Sequence, residues 1–142
     1  MQTLILFAHG ARDPRWAAPF LRLQQLLQQR ADLAVHLAFL EFMTPSLPDL
    51  VAQLVANGQH EITLVPVFLG QGGHVLRDLP LLIEQLQTQY PQLQLHRAQA
   101  VGEDDSVLQA IAQYCMNELP ASAAPAAVPS ATSLATTPAL NP

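Results

Sequence analysis

Three residues whose side chains bind metals and transfer protons recur at nearly equal spacing along this chain. His9, Glu41 and His74 each follow a short apolar run, and they lie 32 and 33 residues apart, which is about one strand–helix unit. The carboxyl ends of parallel strands lie along one edge of a sheet, so residues that end successive strands meet in space. The spacing therefore predicts that the three side chains converge on one crevice.

Two imidazoles and one carboxylate suit a divalent metal such as Fe²⁺, Co²⁺, Ni²⁺ or Zn²⁺. Neutral nitrogen and one anionic oxygen bind these ions and leave coordination positions open for chemistry or transfer. A histidine at the end of a strand also serves in capping or packing. The spacing alone leaves both interpretations open.

Hydrophobic patterning predicts the elements that must position these residues. Short β-branched apolar runs alternate with helical periodicity, which predicts strands over 3–8, 33–40, 62–69 and 93–98 and helices over 15–30, 47–56, 75–89 and 107–118. The third strand is expected to be buried on both faces, and the fourth to be an edge strand. The apolar stripe of the first helix is expected in the core and comprises Phe20, Leu23, Leu26 and Leu27.

Strict alternation of strand and helix predicts an α/β fold, an open parallel four-stranded sheet with helices on both faces. We expect one domain over residues 1–119. Residues 120–142 contain five prolines, eight alanines and no charge. Such a segment buries too little apolar surface to offset its ordering entropy, so we expect a disordered tail.

Charge and cysteine content restrict the classes of partner. The formal net charge is -5, and all six basic residues are arginines, which argues against a nucleic-acid surface or a basic membrane contact. No run approaches the length of a membrane span. The single cysteine, Cys115, excludes an internal disulfide and fits a reducing compartment. We expect a cytoplasmic protein with no nucleic-acid or membrane partner.

Three loop motifs occur in fixed order: AHGARDPR at 8–15, FLEFMTPSLPDL at 39–50 and VPVFLGQGGHVLRDLP at 65–80. Together they resemble the small sirohydrochlorin chelatases, the class II chelatases of tetrapyrrole biosynthesis, over about residues 3–105. The chain departs from that pattern at Ala11, where the family has serine, at residues 101–105 and in the tail.

The resemblance implies insertion of Co²⁺, Fe²⁺ or Ni²⁺ into sirohydrochlorin, a step of cobalamin, sirohaem or related tetrapyrrole biosynthesis. It implies that His9 and His74 hold the incoming metal and assist removal of the pyrrole protons. Glu41 is implied as a ligand or acid/base partner in the same cleft, and no cofactor beyond the substrate metal is implied. Relatives with two tandem copies form a cleft between two lobes, so a single copy predicts a homodimer.

The carboxylates of sirohydrochlorin require local positive charge in an acidic protein. Arg12, Arg15 and Arg77 fall in or beside the motif loops, and solvated charge at helix starts is the alternative for them. Backbone N–H groups of Gly72 and Gly73 are candidates to bind a carboxylate, with a simple turn as the alternative.

The remaining histidines and aromatic residues are interpreted as structural. His36, His60 and His96 lie within or before predicted strands and are expected to be structural or at the surface. Trp16 and Phe68 are placed in core packing rather than against a macrocycle.

Two other functions use parts of the same pattern. A non-catalytic carrier of metal or tetrapyrrole would use the same ligands, and multiple turnover distinguishes it from an enzyme. A phosphohistidine-type phosphatase also begins with a strand that ends in His-Gly, but that family requires arginine directly before the histidine. This chain has Ala8 there, so we rank the phosphatase third.

Overall fold

The computed structural model describes residues 1–30, 32–70 and 72–121, and the side chains of His74 and Leu76 lie outside the described set. The strands are β1 (Gln2–Ala8), β2 (Leu33–Phe39), β3 (Glu61–Pro66) and β4 (Gln94–Arg97). The helices are α1 (Ala18–Gln28), α2 (Leu47–Ala56), α3 (Gly73–Gln89) and α4 (Asp105–Asn117), with 3-10 turns at Pro14–Ala17 and Val101–Glu103. None of these helices, which belong to the described part of the chain, is long and apolar enough to cross a bilayer.

The described chain divides into two compact units, the first over Met1–Leu108 and the second beginning at Gln109. The predicted tail falls almost entirely outside the described residues, which end at residue 121. The domain boundary at residue 119 therefore remains a prediction.

The four strands form one parallel sheet in the order β2-β1-β3-β4. In the register, Ala8 pairs with Phe39 of β2, and Phe7 pairs with Pro66 of β3. The predicted open parallel sheet is confirmed. The chain places β2 on one side of β1 and β3 on the other. The topological switch point therefore lies between the carboxyl ends of β1 and β3, where open α/β sheets bind ligands.

The main core lies on the face of the sheet that α2 and α3 cover. Ile5 and Phe7 of β1 and Ile62 and Leu64 of β3 point into it and are almost fully buried. Leucine, isoleucine and valine side chains of the two helices fill the same cluster, which consists of Leu47, Leu50, Val51, Leu54, Val75, Leu79, Ile83 and Leu86.

The opposite face of β3 is open, so the prediction of a strand buried on both faces is wrong. Glu61 and Thr63 are exposed, whereas their neighbours Ile62 and Leu64 are buried. The strand also ends at Pro66, three residues before the predicted end. The alternation has a simple origin, because α1 contacts mainly β2 and has few contacts with β1. The prediction for β4 is confirmed: it lies at the sheet edge and buries only Leu95.

The apolar stripe of α1 is not core, which corrects a second prediction. No α1 residue is buried: Leu26 is exposed, and Phe20, Leu23 and Leu27 are half-buried. A helix over the outermost strand has sheet beneath only part of its width, so its apolar face keeps contact with water.

Helices α2, α3 and α4 begin at or within two residues of their predicted starts. Ser46 precedes α2, and its hydroxyl accepts a hydrogen bond from the Asp49 N–H at 3.2 Å, as expected for an N-cap residue. The α2 range matches the prediction of 47–56. Helix α3 begins at Gly73, two residues before the predicted start, so His74 belongs to its first turn. Helix α4 begins at Asp105, two residues before the predicted start, and the Asp104 carboxylate accepts a hydrogen bond from the Val107 N–H at 3.3 Å.

Candidate functional site

His9 directly follows β1 and is held against the core by an aromatic neighbour. Its ring lies 4.7 Å from the ring of Phe68, at an interplanar angle of 54°. Phe68 is buried and packs edge-on against Phe7, with ring centroids 5.9 Å apart. The prediction that Phe68 packs in the core is thus confirmed. The contact restricts the orientation of the half-buried imidazole at the switch point.

Glu41 lies beside His9 because the pairing of β1 with β2 continues past the ends of both strands. The Leu40 N–H donates to the Ala8 carbonyl at 2.9 Å, and the Glu41 N–H donates to the His9 carbonyl at 3.0 Å. Glu41 is exposed. The structure therefore brings together the backbones of two of the three predicted site residues at the sheet edge.

Gly10 makes this close approach possible. Its φ is +90°, and a Cβ built on it would collide with the carbonyl oxygen of Glu41. Glycine is the residue that adopts positive φ without a steric penalty and leaves room for a neighbouring backbone. Backbone conformation and the lack of space for a Cβ thus explain why glycine follows His9.

His74 is the second residue of α3, the helix that follows β3, so its backbone lies at the same sheet edge as His9. Its side chain is outside the described set. Among the side chains that are described, no three His, Cys, Asp or Glu groups are placed to hold a metal. The convergence of His9, Glu41 and His74 on one metal remains a prediction.

Gly72 and Gly73 form the entry to α3. Gly72 is the N-cap residue, with φ -75° and ψ 162°, and Gly73 is the first helical residue. Both are exposed, and the N–H groups of the first turn of an α-helix have no partner inside the helix. A guanidinium nitrogen of Arg77, one turn later, lies 3.7 Å from the position that a Cβ on Gly73 would take. Binding of a carboxylate here remains a prediction.

The arginines after β1 have different surroundings. Arg15 forms an ion pair of 2.7 Å with Asp13, and its hydrogen bonds lower the pKa of that carboxyl. The charge of Arg15 is thus paired within its own loop. Arg12 is exposed, and its guanidinium carbon lies 4.6 Å from the centroid of the Phe42 ring, within the range of a cation–π contact.

Phe42 lies directly beside this candidate site, and the sequence did not single it out. Its φ is +64°, and the Met43 N–H donates to the Glu41 carbonyl at 2.8 Å, which closes a three-residue turn around it. Positive φ is an outlier for a bulky side chain. The signal in the sequence was an aromatic residue directly after the candidate ligand Glu41, in a loop rather than a strand.

The other histidines lie away from this edge. His36 is in the middle of β2, His60 precedes β3 and His96 lies in β4, 3.7 Å from Glu61. Burial lowers the pKa of His36. The Nδ1 atom of His60 is buried and has no hydrogen-bond partner among the described residues. Their placement agrees with the structural or surface role predicted for them.

Comparison with protein families identifies the family of this chain. The family model described as CbiX matches residues 3–117, most of the chain. The chain belongs to the CbiX family. The resemblance to small sirohydrochlorin chelatases seen in the loop motifs is thus confirmed, and the match includes the loops that carry His9, Glu41 and His74.

Two similar curated relatives carry the same name. The sirohydrochlorin cobaltochelatase of Methanocaldococcus jannaschii is 33% identical over 84 residues, which cover 58% of this chain and 59% of the relative. The sirohydrochlorin cobaltochelatase of Saccharolobus islandicus (strain L.S.2.15) is 27% identical over 113 residues, or 75% of this chain and 88% of the relative. The chain thus spans less than two thirds of the first relative and most of the second.

Solved structures share the fold. A crystal structure from Marinobacter aquaeolei VT8, described as a cobalamin (vitamin B12) biosynthesis CbiX protein, superposes with a TM-score of 0.74 and 29% identity, covering 83% of this chain and 97% of that one. SirB, a sirohydrochlorin chelatase from Bacillus subtilis subspecies spizizenii in complex with cobalt, gives a TM-score of 0.67 at 22% identity. That match covers 83% of this chain but only 51% of SirB, so this CbiX chain corresponds in fold to about half of SirB.

Proposed function

We propose that this CbiX chain inserts a divalent metal into sirohydrochlorin. The observation that carries the proposal is the joining of His9 and Glu41 by a backbone hydrogen bond at the switch point of a CbiX fold. The names of the relatives from M. jannaschii and S. islandicus support sirohydrochlorin as the substrate and Co²⁺ as the first metal to test. Fe²⁺ and Ni²⁺ are the other candidates.

The chemistry of insertion makes two demands on the site. The metal must lose bound water, and the two pyrrole N–H protons must be accepted by a base as the metal–nitrogen bonds form. In our proposal, His9 and His74 receive the metal and the protons, and Glu41 acts as the third ligand or as an acid/base partner. A weakly held ion suits this step, since a closed set of four protein ligands would oppose transfer to the macrocycle.

The local structure supports separate tasks for His9 and Glu41. Phe68 holds the His9 ring in place, which suits a group that must meet the metal in a fixed orientation. Glu41 is exposed at the rim and can reach an ion arriving from solvent. Gly72 and Gly73 at the start of α3, together with Arg12, are proposed to bind the carboxylates of the macrocycle.

An anaerobic visible-absorption assay tests this function. Purified protein is mixed with excess sirohydrochlorin and Co²⁺, Fe²⁺ or Ni²⁺ in turn, beside a protein-free blank. We expect several turnovers per chain above the blank, and their loss in His74→Ala. A spectral change that stops at one equivalent would contradict an enzyme and establish a carrier.

We propose further that the working form is a cytoplasmic homodimer. The chain covers about half of SirB, so a second copy would supply the other lobe of a cleft. Helix α4 has no charged residue between Ser106 and Asn117, and its side chains Ile111, Tyr114 and Met116 are exposed. An uncharged apolar surface is suited to pairing with an identical surface, since no like charges oppose it. Cys115 is an exposed free thiol, which fits a reducing compartment.

A further inference from the structure

Phe42 combines backbone strain with an exposed side chain. Its φ of +64° places a bulky residue in the left-handed region, which the hydrogen bond from Met43 to Glu41 maintains. Strain of this kind persists only where the surrounding structure enforces it, and it clusters at ligand-binding sites. Yet Phe42 is 56% exposed, so burial in this chain does not account for the position of its side chain.

The surroundings of the ring combine apolar surface with one positive charge. Phe42 lines an apolar groove of about 580 Å³, together with Leu21, Leu37, Phe39 and Pro45. The Arg12 guanidinium lies 4.6 Å from the ring centroid. Among the described residues, no carboxylate lies within ion-pair distance of Arg12.

This combination matches the chemistry of a tetrapyrrole. The macrocycle has a flat apolar centre, which packs well on an aromatic side chain, and carboxylates on its rim, which pair with guanidinium. Phe42 is bonded directly to Glu41, and Glu41 is hydrogen-bonded to His9. A macrocycle resting on this ring would lie beside the residues proposed to deliver its metal.

We infer that Phe42 and Arg12 form the surface that receives the tetrapyrrole, with Phe42 contacting the ring system and Arg12 pairing with a peripheral carboxylate. This inference rests on the proposed function and adds Phe42 to it as a specificity-determining residue. Phe42 lines the groove directly after Glu41 in the chain, and Arg12, which contacts its ring, is complementary to a polycarboxylate. This charge complementarity favours the substrate over a second copy of this acidic chain as the occupant.

The variant Phe42→Asn tests the inference without a risk to folding, since asparagine tolerates positive φ better than phenylalanine does. Its thermal unfolding temperature should equal or exceed that of the wild type. Dissociation constants for metal-free sirohydrochlorin, measured by visible-absorption titration, should rise at least about tenfold, and Phe42→Leu should give an intermediate value. Arg12→Gln should weaken binding and reduce its salt dependence.

The control is Leu81→Ala, a leucine that is 57% exposed on α3 and whose truncation should leave binding unchanged. Co²⁺ binding without the macrocycle should be the same in Phe42→Asn and in the wild type.

If Phe42→Asn binds sirohydrochlorin like the wild type, the inference is overturned while the proposed function stands. If binding falls and light scattering shows that Phe42→Asn has lost the dimer, the ring belongs to a subunit interface. That outcome also overturns the inference. A wild-type chain that binds no sirohydrochlorin would overturn the proposed function, and this inference with it.

Discussion

Gly10 joins the two loops that carry His9 and Glu41. Two hydrogen-bonded backbone segments meet there, and a side chain at Gly10 would enter the space of the Glu41 carbonyl. Gly58, after α2, has a similar φ of +86°, but nothing lies within 4 Å of the position of its Cβ. Comparing alanine substitutions at the two glycines therefore separates the free-energy cost of positive φ from that of a steric collision.

We expect Gly10→Ala to destabilise the fold by more than Gly58→Ala does. Both variants lose about 1–2 kcal/mol because alanine disfavours the left-handed region, and Gly10→Ala must also displace the Glu41 backbone. Urea unfolding followed by circular dichroism measures the difference. Equal destabilisation of the two variants would show that the loop at Gly10 moves aside freely.

His9→Ala should lower the rate of metal insertion by at least about 100-fold, the lower end of the usual contribution of an acid/base group. The fold should remain intact, since the imidazole is only half-buried and touches the core through Phe68 alone among the described aromatic rings. His96→Ala, at an exposed position in β4, is the matched control and should keep wild-type activity. An unfolded His9→Ala protein would instead indicate a structural histidine.

Among the elements, β2 carries a titratable group whose environment opposes its charged form. Burial lowers the pKa of His36 from its ordinary value of 6.5, so the unfolded chain takes up this proton at a higher pH than the folded chain does. The stability contributed by the neutral imidazole is fully present above pH 6.5 and is lost as the pH falls below it toward the lowered pKa.

The free energy of unfolding should therefore be smaller at pH 5.5 than at pH 7.5, and His36→Gln should reduce that difference. Urea titrations at the two pH values, on the wild type and on His36→Gln, measure this difference. If the pH dependence of the free energy of unfolding is unchanged in His36→Gln, it arises from other titratable groups.

The fold as a whole offers one lobe, whereas SirB has about twice its matched length. If a second copy completes the cleft, the mass in solution should be twice 15.4 kDa, and insertion activity per chain should fall on dilution below the dimer dissociation constant. Light scattering and assays over a concentration series test this. A monomer with activity per chain independent of concentration would contradict the proposed dimer.

Local patterning was sufficient for the order and type of the elements. Strands follow from short β-branched apolar runs and helices from a period of 3.6 residues. The range of α2 agrees with the prediction, and Ser46 and Asn57-Gly58 mark its two ends. The backbone contact of His9 with Glu41 also followed from the sequence, since parallel strands with helical crossovers put all their carboxyl ends at one edge.

Features that depend on distant neighbours needed the folded chain. The strand order decides that α1 lies over an outer strand and that Thr63 of β3 faces water, and neither follows from the periodicity of its own segment. Likewise, the positive φ of Phe42 depends on a turn packed against Gly10, a residue of another loop. The sequence of a segment encodes its local backbone preference, but contacts between segments decide which preference is overridden and which side chain remains exposed.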